Sequence, residues 1–430
     1  MSTHTIPGTT TEYHMIAFDA DGRERMDDVA GGVFSRTVLE KVKADSPNNI
    51  FFFSHGWQGD APAAIAQYNR WIKAMVDLTP DAQRMGADFK PMWIGLHWPS
   101  RPWGEEGSGS FAVAGGRPLD ELFEETVRAF GGSAAIRGPL KVIFDAHAQD
   151  PGASDVPERA LQAYRDLAGA IGFSAGKGTA GAPDEEGEAL DPQAALEADT
   201  IAMQSFGTLG AIGGGILSGL RQLSFWMMKK RSRAVGEGGM HQFVSALQQV
   251  SNAKIHLMGH SFGCIVVSSI LNGPQGAGSL TRPINSVALV QGAMSLWSYA
   301  DQVLGSSQPG YFRSVLTRGV VGGPIITTKS RHDTAVGILY PVAVGLVREA
   351  DFADTLPKYG GIGSFGIQGT PIAVERDMLD KDGDYSFASG KIYNLESSKY
   401  IATMNGVAGA HSDIAGPQVA HAIWQAALAS

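Results

Sequence analysis

The stretch KIHLMGHSFGCIVVSSIL, residues 254–271, decides the fold because two apolar runs meet there at a Gly-His-Ser-Phe-Gly turn. The first run suits a short buried strand, and the second has the spacing of a buried helix. Gly259 and Gly263 lack a Cβ, so the chain can turn sharply between the two elements. This strand-turn-helix predicts a nucleophile elbow with Ser261 strained at its apex. The alternative is a glycine-rich turn in which the serine only caps the helix.

Further apolar segments predict an α/β fold with a mostly parallel central sheet and helices on both faces. The run NIFFFS is continuously apolar over residues 50–53, as is typical of a strand buried on both faces. Helical spacing over residues 61–78 links it to the next strand. The predicted strands are residues 12–19, 50–54, 91–100, 254–258, 286–291, 324–328 and 391–395.

A large insertion separates two of these strands. Residues 101–253 lie where a simple crossover needs only about a dozen residues. We therefore predict a core formed by residues 1–100 and 254–430, with residues 101–253 as a mainly helical cap. Within the cap, residues 118–169 have helical spacing, whereas the Gly-, Ala- and acid-rich residues 173–200 predict a flexible loop.

The apolar, glycine-rich residues 205–230 have two interpretations. Arg221 interrupts the apolar run before it could span a bilayer. The segment is then either a helix of the core or a lid over the active site whose apolar face meets a lipid. The second interpretation allows transient contact with a membrane surface.

Composition narrows the classes of partner. The chain has 430 residues, a formal net charge of −9 and no extended basic stretch, which argues against binding nucleic acid. Its single cysteine, Cys264, excludes an internal disulfide and is predicted to be buried in the helix after the elbow. No secretory signal is visible in the first residues, so we expect a cytoplasmic location, with signal-independent export left open. The sequence leaves the oligomeric state open.

An activated serine needs a base and an acid that orients it. In GGPIITTKSRHD, Asp333 follows a β-branched strand in a loop expected at the carboxyl edge of the sheet. Asp351 and Asp354 are the alternative acids. In NGVAGAHSDIAGP, His411 lies in a loop directly before the last amphipathic helix, where its ring can reach a serine. The histidines judged weaker as the base are His97, His256, His332 and His421.

An oxyanion hole needs two backbone donors. A His-Gly pair, His55 and Gly56, follows the strand at residues 50–54. The N–H of Trp57 and the N–H of Phe262 are the predicted donors. The alternative is a turn that merely ends the strand. The residues predicted to have a structural role in the two motifs are His55, Gly56, Gly259, His260 and Gly263.

The chain order Ser261, Asp333, His411 is that of α/β-hydrolases. On the motifs FFFSHGW, HLMGHSFG, TTKSRHD and GAHSDI, the chain resembles a serine hydrolase of the α/β-hydrolase superfamily, of the lipase/esterase-like kind. The motifs run from residue 50 to the C-terminal part and leave the insertion unmatched. The resemblance implies a mostly parallel sheet, a covalent acyl-enzyme and no cofactor, and it leaves the acyl and alcohol groups open.

We therefore predict a serine hydrolase that cleaves carboxylic esters of small-molecule or lipid type. Ser261 attacks the acyl carbonyl, His411 transfers the proton and Asp333 orients the imidazole. A peptidase, amidase or thioesterase would use the same residues. From another class, a hydrolase-fold interaction protein without turnover is the alternative.

One acidic turn resembles a calcium loop. Asp380, Asp382 and Asp384 have the spacing, but Tyr385 replaces the glycine at the sixth position and Lys391 the glutamate at the twelfth. We predict no metal site.

Overall fold

The structure, a computed structural model, describes residues 2–26, 32–56, 61–100, 118–173, 192–193, 196, 215–278, 280–339, 356–357, 360–404 and 408–430. The chain divides into two compact units. The first comprises Met1–Ser100, Arg231–Gly337 and Gly360–Ser430, and the second comprises Arg101–Lys230 and Ile338–Tyr359.

The first unit is built on a sheet with the strand order β1-β2-β4-β3-β5-β6-β7-β9-β8. The strands are β1 (Ser2–Thr5), β2 (Glu12–Ala17), β3 (Asn49–Ser54), β4 (Pro91–His97), β5 (Lys254–His260), β6 (Ser286–Val290), β7 (Ile325–Lys329), β8 (Ala373–Asp377) and β9 (Ile392–Glu396). The β1–β2 pair is antiparallel, and the other neighbouring pairs are parallel. The predicted α/β class with a mostly parallel sheet is confirmed.

The seven predicted strands are all present, and two edge strands were missed. β1 and β8 lie at the two ends of the sheet. The AVERD sequence of β8 is exposed or half-buried throughout. Because an edge strand buries few side chains, it lacks the apolar pattern that identifies the central strands.

The helices surround this sheet and build the second unit. They are α1 (Phe34–Asp45), α2 (Ala61–Asp77), α3 (Thr79–Arg84), α4 (Leu119–Ala129), α5 (Ala134–Gln149), α6 (Glu158–Ala170), α7 (Ser218–Val235), α8 (His241–Val250), α9 (Gly263–Asn272), α10 (Arg313–Thr317), α11 (Ile362–Phe365) and α12 (Pro417–Leu428). The helix predicted over residues 61–78 is α2. Across the described parts of the chain, no helix is both long and apolar enough to cross a bilayer.

Strand β3 shows why the centre of the sheet is continuously apolar. Its six residues are all buried. On one face, Phe51 stacks on Trp93 of β4 and on His256 of β5, with ring centroids 4.8 and 4.6 Å apart. On the other face, Phe52 meets the edge of Phe243 in α8 at 6.0 Å. Successive side chains point to opposite faces, so a strand covered by helices on both sides favours consecutive apolar residues, as at residues 50–53.

The insertion ends earlier than the sequence predicted. Residues 231–253 belong to the unit that carries the sheet, although the sequence had placed them in the cap. The physical reason is close packing. A Cβ on Gly236 would lie 2.4 Å from the Val266 oxygen of α9, so only glycine permits this approach. Residues 338–359 instead group with the second unit.

The described part of the segment at residues 205–230 packs within the second unit. Tyr164 of α6 donates its hydroxyl hydrogen to the Ile216 carbonyl at 2.6 Å, and Trp226 of α7 meets Phe173 edge-on at 5.7 Å. Ile216 and Trp226 are both buried. This burial favours the interpretation of residues 215–230 as core. Residues 205–214 and most of the predicted loop at residues 173–200 lie outside the described residues.

A buried histidine in β5 makes the stability of the first unit sensitive to acid. Nε2 of His256 lies 3.0 Å from the Asn49 side-chain oxygen, and Nδ1 lies 2.8 Å from the Ser286 hydroxyl. Nε2–H donates to the amide oxygen while Nδ1 accepts from the hydroxyl, an arrangement that needs a neutral ring. Burial lowers the pKa of His256 to about 3.

The first prediction follows from this lowered pKa. Between an unfolded-state value of about 6.5 and the folded value, only the unfolded chain binds the proton, so stability falls as the pH falls. His256→Gln removes this titration, and we expect its loss of unfolding free energy between pH 7 and pH 5 to be about 2 kcal/mol smaller than in the wild type. Urea unfolding at both pH values measures this. An unchanged pH dependence in the variant would contradict it.

Candidate functional site

Ser261 lies at a sharp turn between β5 and α9. Its φ is +56°, a conformation that non-glycine residues seldom adopt. Its N–H donates to the Val290 carbonyl at 3.2 Å, which continues the pairing of β5 with β6 past the last strand residue. Helix α9 begins two residues later at Gly263. The backbone is therefore held in a strained conformation at the serine, as a nucleophile elbow requires.

Two glycines permit this turn. A Cβ on Gly259 would lie 2.4 Å from the Gly263 oxygen, and a Cβ on Gly263 would lie 2.2 Å from the Ser54 oxygen. Neither approach leaves room for a side chain. The close contact between strand and helix that the sequence predicted is present, and it also brings the end of β3 against the start of α9.

His411 and Asp333 form a hydrogen-bonded pair. His411 Nδ1 lies 2.8 Å from Asp333 Oδ2. The Asp333 side chain is fully buried, and that of His411 is 12% exposed. A carboxylate only accepts, so Nδ1 carries the hydrogen and the Nε2 of a neutral ring is left as an acceptor. The second carboxylate oxygen accepts the N–H of Val336 at 2.9 Å.

The neighbours of Ser261 and of Asp333 both contact the loop that carries His411. The ring of His260, next to Ser261, lies 4.8 Å from the ring of His411. The loops that carry Asp333 and His411 are also joined, because the Ala410 N–H donates to the His332 carbonyl at 2.8 Å. Among the described residues, no hydrogen bond links Ser261 Oγ to His411 Nε2. Such bonds often tighten only when substrate is bound.

Gly56 brings the end of β3 beside the serine. A Cβ on Gly56 would lie 2.5 Å from Ser261 Cβ and 3.1 Å from Ser261 Oγ. Phe262, one of the two predicted oxyanion donors, is buried at the N-terminal cap position of α9. Trp57, the other predicted donor, lies outside the described residues.

His55 is fully enclosed and bonded through its ring and its backbone. Nδ1 donates to the Gly56 carbonyl at 2.9 Å, and the backbone N–H donates to the Tyr68 hydroxyl oxygen at 2.9 Å. The ring stacks on Trp98 with centroids 5.7 Å apart. Burial, reinforced by the nearby His97, lowers the pKa of His55 to about 3. A neutral, immobile ring is consistent with the structural role predicted for it.

Gln291 is a site residue that the sequence did not identify. It follows β6 with φ +46° and is fully buried. Its Nε2 donates to Asp333 Oδ2 at 2.9 Å, the oxygen that also accepts from His411. Its Oε1 accepts from the Thr328 hydroxyl at 2.9 Å, which fixes the orientation of the amide. A second strained residue at the same sheet edge thus holds the acid in place.

Two of the competing histidines, His256 and His421, have their ring nitrogens bonded to groups outside this cluster. Asp351 and Asp354 lie outside the described residues. His421 bonds to Asp81 at 2.6 Å and to the Gly383 carbonyl at 2.6 Å. His97 contacts His55 and lies beside β3.

The acidic turn that resembles a calcium loop is occupied by protein contacts. Asp384 pairs with Arg84 at 2.8 Å, and Asp380 accepts from Gln418 at 3.0 Å. No group of three or more metal-binding side chains occurs in the ranges that the structure describes.

Comparison of the chain with protein-family models, with curated proteins and with solved structures found no match in any of the three. The functional argument therefore depends on the geometry of Ser261, Asp333, His411 and the residues that hold them.

The second prediction concerns the glycine at the start of α9. In Gly263→Ala, the new Cβ meets the backbone oxygens of Ser54 and His55, which cannot move aside as a side chain could. We expect a loss of unfolding free energy of about 1–3 kcal/mol or more. Gly416→Ala is the control, since its Cβ would meet only the Gln418 side chain at 3.6 Å, and it should change stability by less than about 1 kcal/mol. Equal stability of the two variants in urea unfolding would contradict the prediction.

Proposed function

We propose that the protein is a serine hydrolase of the α/β-hydrolase type that cleaves carboxylic esters through an acyl-enzyme. The observation that carries the proposal is the buried Asp333–His411 hydrogen bond of 2.8 Å, formed at the same sheet edge as a serine with φ +56°. A strained serine, an oriented imidazole and a buried carboxylate are the parts that nucleophilic acyl transfer needs.

In the proposed reaction, Ser261 Oγ attacks the acyl carbonyl while His411 Nε2 takes its proton. Nε2 is the acceptor because Nδ1–H is committed to Asp333. The tetrahedral intermediate breaks its bond to the alcohol, which leaves with the proton from His411. Water then attacks the acyl-Ser261 ester with His411 as base, and the acid product and the free serine are released. Asp333 stabilises the imidazolium through both steps.

The proposed oxyanion donors are the N–H groups of Trp57 and Phe262. The carbonyl of Gly56 is held by the ring of His55 at 2.9 Å. The closeness of Gly56 to Ser261 supports the assignment.

The cap assignment of the insertion and the ester specificity belong to the same proposal. The burial of Ile216 and Trp226 favours packing of residues 215–230 within the second unit over an apolar lid that opens onto lipid. We therefore propose small-molecule or single-chain esters as substrates.

The third prediction tests the nucleophile. A fluorophosphonate probe should label the wild type at one serine, because only an activated hydroxyl attacks the phosphorus at a useful rate. Ser261→Ala should abolish labelling, and Ser307→Ala, which removes an exposed hydroxyl, should leave it intact. The readout is the mass increase of the whole chain. Stoichiometric labelling of Ser261→Ala would show that another residue is the nucleophile.

The fourth prediction tests the acid. Asp333→Asn replaces an oxygen that accepts from His411 with a group that can donate, so the imidazole takes the wrong tautomer. We expect kcat for a p-nitrophenyl ester to fall by about 10³–10⁴-fold, with KM changed much less.

Asp377→Asn, at an exposed carboxylate at the end of β8, is the matched control and should retain kcat. Full activity of Asp333→Asn would remove Asp333 from the site and direct the search to Asp351 and Asp354.

A further inference from the structure

His260 precedes the serine and has no chemical role in the reaction proposed above. Its side chain is nevertheless buried beside the base, with Nε2 2.9 Å from the backbone oxygen of His411. Nδ1 lies 3.2 Å from Nε2 of Gln67 in α2. The two ring nitrogens therefore connect two separate elements to the end of β5.

The protonation of His260 follows from these two contacts. A carbonyl can only accept, so Nε2 carries a hydrogen and donates it to His411. Nδ1 is then the acceptor for the Gln67 amide. Burial holds the pKa of His260 well below its ordinary value of 6.5, and it outweighs the opposing effect of the hydrogen bond to the His411 carbonyl. The ring is a neutral, fixed donor.

Other hydrogen bonds also anchor the loop that carries His411. Ala410 N–H donates to the His332 carbonyl, which ties the loop to the acid. The Asp413 carboxylate accepts from Ala402 and Thr403 at 3.1 and 2.8 Å, which ties the loop to the chain just before it. Among the hydrogen bonds of the described residues, the one from His260 is the bond that joins this loop to the strand bearing the nucleophile.

We propose that His260 is a positioning residue that sets the distance between the His411 imidazole and Ser261 by holding the His411 backbone. This inference rests on the proposed function. It gives His260 a role in positioning His411 in addition to its packing. A misplacement of about 1 Å in a reacting group can cost about 10²-fold in rate, so one backbone hydrogen bond is enough to matter.

The experiment compares three variants of the full chain. His260→Leu removes the donor, His260→Gln can restore an N–H, and His256→Leu removes a buried histidine of the same strand whose ring bonds to Asn49 and Ser286 instead of to His411. For each, kcat and KM for a short p-nitrophenyl ester, the rate of fluorophosphonate labelling, and the hydrogen–deuterium exchange of the peptide that contains His411 are measured.

We expect kcat and the labelling rate of His260→Leu to fall by about 10²-fold with KM nearly unchanged, and exchange of the His411 peptide to increase. His260→Gln should recover most of both, and His256→Leu should keep wild-type kcat even where it lowers the unfolding temperature. Wild-type kcat in His260→Leu, or equal losses of kcat in His260→Leu and His256→Leu, overturns the inference and leaves the proposed function standing. A wild type that neither labels nor turns over any ester overturns the proposed function, and the inference with it.

Discussion

The site depends on a place where three stretches of backbone come closer together than side chains would allow. Strand β5 turns into α9 while the end of β3 crosses beside the turn, and the missing side chains of Gly56, Gly259 and Gly263 make this crossing possible. Strand β5 is held by its partner strand β6, and α9 packs against β5. Ser261 therefore keeps its positive φ. A non-glycine residue at such a φ costs about 1–3 kcal/mol, and the packing around the turn has to compensate this cost.

Among the described residues, the titratable groups beside this turn have fixed partners. His55 and His260 are buried with lowered pKa values, so each works as a neutral hydrogen-bonding group. Asp333 is a buried carboxylate that accepts from His411, Gln291 and Val336. Burying a carboxylate is costly unless donors surround it, and these three donors supply that compensation. The imidazole that contacts it is held in one tautomer.

The sequence predicted those parts of the candidate site that have a local sequence pattern. Ser261, Asp333 and His411 each follow or precede a strongly apolar element, and parallel strands bring such loops to one edge. It did not identify Gln291, because the partner that explains this residue lies 42 positions away across two strands. The contact of His260 with His411 spans 151 positions. Its acceptor is a backbone oxygen, which every residue has, so the residue type at position 411 does not indicate the contact. The sequence placed the end of the insertion too late in the chain. The amphipathic pattern of α8 indicates that one face of this helix is buried, but it does not indicate which unit the face packs against.

The most direct measurement is the position of the covalent intermediate. The protein would be mixed with a p-nitrophenyl ester and quenched in acid within the first turnovers. Its peptides would then be mapped by mass spectrometry while the release of p-nitrophenolate is followed. The account predicts an initial release of about one equivalent per chain and an acyl group on the peptide that carries Ser261. Turnover with the acyl group on another residue, or no acylation and no turnover across esters, thioesters and amides, would contradict it.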